Sequence, residues 1–262
     1  MTTQQFLVST WSWDGAAVVF SAMAVLAYVW RFGVNGRMLY LLAAVGGFLL
    51  IRISPLNALA AGYLFSAHML QHILLLLVVP ALALMSLPRH AALAWGRALP
   101  AHTLMAWLAG VGAMWLWHAR PLCNAAVSSR LVSALQIGSL LVLGAIFWRP
   151  ILAPRETERM SPPGAVFYLF SACVACSILG ILITFSPVNV CPIYLQPPSG
   201  NRAVLELIQH NWGITPEKDQ QIGGLLMWVP MCLVYLGAIV AQLARWFAQP
   251  LAGPRTAERG LS

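Results

Sequence analysis

The chain has 262 residues, of which 60% are apolar and only 8% charged. A soluble domain carries about 25% charged residues, so this composition excludes a soluble fold. The net charge of +8 does not indicate nucleic acid either, because the arginines stand singly between apolar runs rather than on one basic face. The first cation, Arg31, follows the first apolar run, so a cleaved signal peptide is not expected.

A membrane span needs roughly 20 mostly apolar residues. In chain order seven stretches qualify, at about 14–31, 37–54, 60–87, 102–118, 130–148, 163–185 and 221–246, with an outer loop at 186–220. The predicted fold is all-α: a polytopic integral membrane helix bundle of seven transmembrane helices, one membrane domain over residues 1–262. The second and fourth stretches are short, and Gly46, Gly47, Gly110 and Gly112 suit close helix packing there. Pro80 is expected to kink the third.

Orientation follows from the cations. With the N-terminus outside, the inner side holds Arg31, Arg37, Arg89, Arg97, Arg149, Arg155, Arg159, Arg245, Arg255 and Arg259. The outer side then holds Arg52, Arg120, Arg130, Arg202 and Lys218. This excess predicts an outer N-terminus and a cytoplasmic C-terminus. Trp11, Trp13 and Trp212 fall at the outer boundary and Trp30, Trp148 and Trp246 at the inner one, as an aromatic belt requires. His68, His72, His118 and His210 then lie toward the outer half, and His90 and His102 in an inner loop.

The third stretch carries His68 and His72 with no acid or base to match them. Their spacing of four puts both imidazoles on one helical face. Ionisable groups in hydrocarbon face a protein interior and mark a functional site. Such a pair is half of a transition-metal site. The alternatives are hydrogen bonding between helices through Ser66, Gln71 or a carbonyl, and a proton relay. Gln71 is placed to fix a tautomer as a supporting partner.

His118 ends the fourth stretch, where it either answers the helix dipole or supplies a third ligand. Asp219, just before the seventh, is an N-cap or a carboxylate that orients a histidine or binds metal. Met69, Met114 and Met227 offer thioethers and Cys123 a thiolate, soft ligands that select Cu(I); ordinary packing is the alternative for each. Cys123 and Cys191 can instead form a disulfide if both face an oxidising compartment. Cys173 and Cys176, at i,i+3 in the sixth stretch, lack the strand–helix setting of a thioredoxin motif. The sequence holds no P-loop, no H-E-x-x-H and no C-x-x-C-H haem attachment motif, and few acids lie within the spans, unlike a carboxylate proton pathway.

Three segments together resemble a known family. They are Ser66-Ala67-His68-Met69-Leu70-Gln71-His72, then Trp117-His118-Ala119-Arg120-Pro121-Leu122, and Asp219-Gln220-Gln221-Ile222-Gly223-Gly224-Leu225-Leu226-Met227-Trp228-Val229-Pro230. This set is similar to the seven-span CtaG-type assembly factors of caa3 cytochrome c oxidase. The resemblance implies a bacterial inner-membrane protein that helps mature a haem–copper oxidase by handling copper. Where the family pattern continues L-Y-D-A-A, this chain reads Leu122-Cys123-Asn124-Ala125-Ala126, losing an acid and gaining a soft ligand.

The leading expectation is therefore a metallochaperone rather than an enzyme. His68, His72 and His118 would form a shallow Cu(I) site open to the outer face, with Met69, Met114 or Cys123 nearby and Asp219 supporting them. Its partners would be the lipid bilayer, the subunits of a haem–copper oxidase and a periplasmic copper carrier, without nucleic acid. The competing expectation is a haem-binding or metal-dependent membrane oxidoreductase, with the histidines as axial ligands and Trp117 and Trp228 lining the porphyrin.

Overall fold

A computed structural model describes residues 1–91, 102–195 and 201–248. Among these the secondary structure is wholly helical. Helix α1 (Thr3–Ser9) starts on a capping box between Thr2 and Gln5. Asp14 caps α2 (Gly15–Phe32) by accepting from the Ala17 N–H, and Gly33, at φ 68°, ends it. Arg52, near the end of α3 (Met38–Ile53), donates through Nε (2.9 Å) and Nη2 to the same Asp14 carboxylate. Ser54 and Pro55 then open the short α4 (Pro55–Ala60).

The histidine-bearing span is one run from Phe65 to Ser86, but it is not uniform. It comprises α5 (Phe65–Ile73), a π-turn over Leu74–Val78 and α6 (Val79–Ser86). Pro80 has no N–H to return to the Leu76 carbonyl. That carbonyl oxygen faces Gly144, where an added Cβ would collide with it. The distortion expected at Pro80 thus takes the form of a widened turn with a glycine opposite.

The chain continues through α7 (His102–Trp117), α8 (Arg120–Ser128), α9 (Arg130–Leu152) and α10 (Pro162–Phe185). The segment after α10 is not the plain loop that was expected. It holds a 3-10 turn at Pro192–Leu195, then α11 (Arg202–Glu206) running into a π-turn over Leu207–Asn211. Helix α12 (Pro216–Phe247) starts earlier than expected, because Thr215 caps it and Pro216 occupies its first turn.

Five of these runs are long and apolar enough to cross a membrane: Gly15–Phe32, Phe65–Ser86, Arg130–Leu152, Pro162–Phe185 and Pro216–Phe247. The chain is a multi-pass membrane protein. The second and fourth expected spans are α3 and α7, with 16 residues each. At 1.5 Å per residue each is about 24 Å long, less than the roughly 30 Å of hydrocarbon. Arg97, Arg255, Arg259 and the side chain of His102 lie outside the described residues.

Helix α12 is wedged between α10 and α5 through three glycines. A Cβ at Gly224 would strike Thr184, one at Gly180 would strike Trp228, and one at Gly223 would strike the Phe65 ring. Over the α5 N-terminus sits a small apolar cap of Phe6, Ala60, Leu64, Ala67, Val204, Leu207 and Ile208. Trp212 closes it, edge-on to Phe6 and donating to the Thr3 hydroxyl at 2.9 Å.

Candidate metal centre

Helix α5 sets the site. His68 and His72 share its inner face with ring centroids 4.5 Å apart, and His118, arriving at the end of α7, stands edge-on to His72 at 5.2 Å. The His118 Nδ1–H donates to the Met114 carbonyl at 2.5 Å. A carbonyl can only accept, so the proton belongs on Nδ1 and the Nε2 lone pair points outward. It points at the Met69 thioether, 2.9 Å away, which is also an acceptor. His68 Nε2 faces the Gln136 amide nitrogen at 3.4 Å. Both ring nitrogens of His72 are buried and make no well-formed hydrogen bond, with only the Gln136 amide in reach among the described residues, an arrangement that is costly for a polar group.

The expected shallow, open site is instead enclosed. His68, His72 and His118 are 5%, 1% and 6% exposed. The segment after α10 lies over them, with the Tyr194 ring 6.2 Å from His68 and 5.9 Å from Phe65. The Tyr194 hydroxyl donates to the Ala60 carbonyl at 2.6 Å. Burial, and then the Asp219 carboxylate, push this phenol well above its ordinary pKa, so it remains a donor. A cavity of about 470 Å³ adjoins His118 on the α10 side, lined mainly by apolar residues such as Leu179, Leu182 and Ile183.

Four of the residues proposed from sequence play other parts. Cys123 is bonded to Cys191 in a disulfide, so in this state it has no thiolate to offer a metal. Asp219 does not cap its own helix and does not touch a histidine. Its carboxylate accepts from the backbone N–H groups of Phe65 (2.6 Å) and Ser66 (3.0 Å), capping α5 across the helix boundary because Leu64 has no side chain able to do so. Met114 gives His118 its backbone carbonyl. Gln71 turns away, donating to the Ile51 carbonyl (3.3 Å) and Asn57 Oδ1 (3.5 Å), because positions three after His68 and one before His72 lie beside their face.

Trp117 and Trp228, expected to line a haem, do not frame a slot. Trp117 Nε1 donates to Ser139 at 2.9 Å, and Trp228 packs where Gly180 leaves room. His210 is exposed, at the outward side of the π-turn. Two contributors were missed: Gln136, legible as the one amide within α9, and Tyr194, whose sequence neighbours gave no sign of a place above His68. Among the described residues no three His, Cys, Asp or Glu side chains already converge as a ligand set. The three imidazoles and the thioether are gathered, and their rings would have to turn to meet on one ion.

The neighbours of the D-Q-Q-x-G-G segment explain its spacing. Asp219 caps α5, while Gln220 Oε1 accepts from the Val190 N–H and its amide donates to the carbonyls of Ile183, Ser186 and Val188. Gly223 then admits α5 and Gly224 admits α10. The family model described as cytochrome c oxidase caa3 assembly factor matches residues 19–249, which takes in every helix just described except α1. The chain belongs to this family. The family's function is assembly of cytochrome c oxidase, and in this chain the D-Q-Q-x-G-G segment is scaffolding that positions α5. No curated protein and no solved structure matches the chain.

Proposed function

We propose that this assembly factor carries Cu(I), held by His72, His118 and Met69 with His68 beside them, and delivers it to a haem–copper oxidase subunit within the bilayer. The observation that carries this reading is the pairing of His118 Nε2 with Met69 Sδ at 2.9 Å. With Nδ1 committed to the Met114 carbonyl, Nε2 keeps its lone pair beside the thioether sulfur, and an imidazole–thioether pair is a soft donor set. The two atoms would part to admit an ion, since metal–N and metal–S bonds of about 2.0 and about 2.3 Å hold their donors farther apart. His72, whose buried nitrogens make no well-formed hydrogen bond, supplies a further donor. Copper here is cargo, so the protein acts as a metallochaperone without a chemical step of its own.

The topology proposed with it has seven spans, α3 and α7 being the two short ones, in one membrane domain of the bacterial inner membrane. The N-terminus and the disulfide cap face the periplasm, where a soluble copper carrier can reach them, and the C-terminus is cytoplasmic. The haem alternative, which needs axial histidines from separate helices, has less support, because His118 Nε2 faces the Met69 sulfur at 2.9 Å rather than an imidazole across a gap.

The test is anaerobic purification with Cu(I), followed by metal analysis and an optical spectrum of the same sample. One copper per chain in the wild type and clear loss in His72→Ala is the expected result. Equal stoichiometry in both would remove His72 from the site, and a strong Soret band would replace copper with haem.

A further inference from the structure

At the end of the bundle far from the histidines, α2, α3 and α6 leave a continuous cleft. Its mouth is a pocket of about 390 Å³ lined by Phe32, Asn35, Arg37, Arg89 and His90. Arg37 is fixed there by donating from Nη1 to the carbonyls of Met85 (3.3 Å) and Leu87 (2.7 Å). Arg89 and His90 are exposed. Among the described residues the ion pairs are Arg52–Asp14 and Arg155–Glu158, so no carboxylate neutralises the mouth. Arg159 lies within electrostatic reach: burial, and then Arg245, Arg37 and Arg89, pull its pKa down against Glu156. Like charges gathered at one pocket favour an anion among them.

Behind the mouth the lining turns apolar. Phe32 is shared with a second cavity of about 410 Å³ beside Ala27 and Leu87. Ala24, Leu41 and Ala83 are shared in turn with a third, of about 190 Å³, that ends against Pro80. A cationic mouth opening into a narrow apolar trough within the membrane has the shape and polarity of one lipid: a phosphate head and a hydrocarbon tail. Trp30, exposed beside it, is where an interfacial tryptophan belongs.

We propose that this cleft binds an anionic phospholipid, with its phosphodiester between Arg37 and Arg89 and one acyl chain along the trough between α2 and α6. The lipid neutralises the arginine cluster and fills the gap between α2 and the rest of the bundle. This site is separate from the histidines and does not depend on copper.

The test uses the full chain in detergent micelles, with native mass spectrometry reading retention of phosphatidylglycerol against phosphatidylcholine of the same chains. Each arginine near a membrane surface favours an anionic lipid enough to give about a fivefold preference. Wild type should therefore retain phosphatidylglycerol at least about fivefold better. Arg89→Gln, at an exposed position, should cut that preference about fivefold, and Ala24→Phe, which fills the trough, should weaken both lipids. No preference in the wild type, or the same preference in Arg89→Gln, would overturn the proposal. So would a response to inorganic phosphate equal to that to phosphatidylglycerol and unaffected by Ala24→Phe, which would assign the pocket to a free anion.

Discussion

The Nε2 atom of His118 stands 2.9 Å from the sulfur of Met69 while its Nδ1–H is committed to the Met114 carbonyl. One helix-end imidazole is thus oriented by its own helix and aimed at another. Met69→Leu keeps the volume of a fully buried side chain and removes only the donor atom. Cu(I) should bind at least about tenfold more weakly, the scale on which altered metal surroundings act. X-ray absorption of the copper-loaded protein should lose its sulfur scatterer. A spectrum identical to wild type would exclude the thioether as a ligand.

Asp219 anchors the start of α5 through the Phe65 and Ser66 N–H groups. In Asp219→Ala the Phe65 and Ser66 N–H groups lose their acceptor, at about 1–3 kcal/mol for each buried unpaired group. Asp219→Asn keeps one acceptor oxygen and should cost less. Thermal unfolding in micelles gives the order wild type, Asn, Ala. Copper stoichiometry of the folded fraction should not change in either; its selective loss in Asp219→Asn, with stability intact, would return the carboxylate to the metal.

The Cys123–Cys191 bond closes a loop with a sequence separation of 68. Cys123→Ser or Cys191→Ser should lower stability by about 2–4 kcal/mol, and a reductant should do the same to the wild type. Copper bound per folded chain should remain at the wild-type level in Cys123→Ser. A drop in copper without a drop in stability would contradict the disulfide and restore Cys123 as a donor.

At Asp14, burial works to raise the pKa, but the Ala17 N–H and the Arg52 guanidinium outweigh it and hold the carboxyl below its usual value. The folded pKa lies below the unfolded one, so the stabilising contribution is complete above the ordinary Asp range, about 3.9. It is lost as pH falls through the depressed folded value. Unfolding temperature in micelles should fall with pH in that acid range more steeply for wild type than for Asp14→Asn. Parallel curves would mean that the pair contributes nothing.

The apolar runs that define the spans were legible because the bilayer demands both length and hydrophobicity. The i,i+4 spacing of His68 and His72 showed a shared face for the same geometric reason. Their enclosure was not legible, since it depends on Tyr194 arriving from a segment more than a hundred residues away in sequence. Asp219 stood out as an isolated acid at a helix start. Its true target, the N-terminus of α5, could not be read, because Leu64 gives no local sign that its helix is capped from elsewhere. Pro80 announced a distortion but not the π-turn, whose tolerance rests on Gly144 across the interface.

Cys123 and Cys191 flank α9 and α10, with both helices between them in the chain. Their bond cannot close until that helical hairpin has been made and both of its ends lie on one side of the membrane. In the topology proposed above, oxidation would then act as a receipt for completed insertion: a chain with α9 or α10 misplaced would keep two free thiols on opposite faces. Newly made protein should pass from a thiol-reactive to a thiol-protected form at those two positions only as it matures.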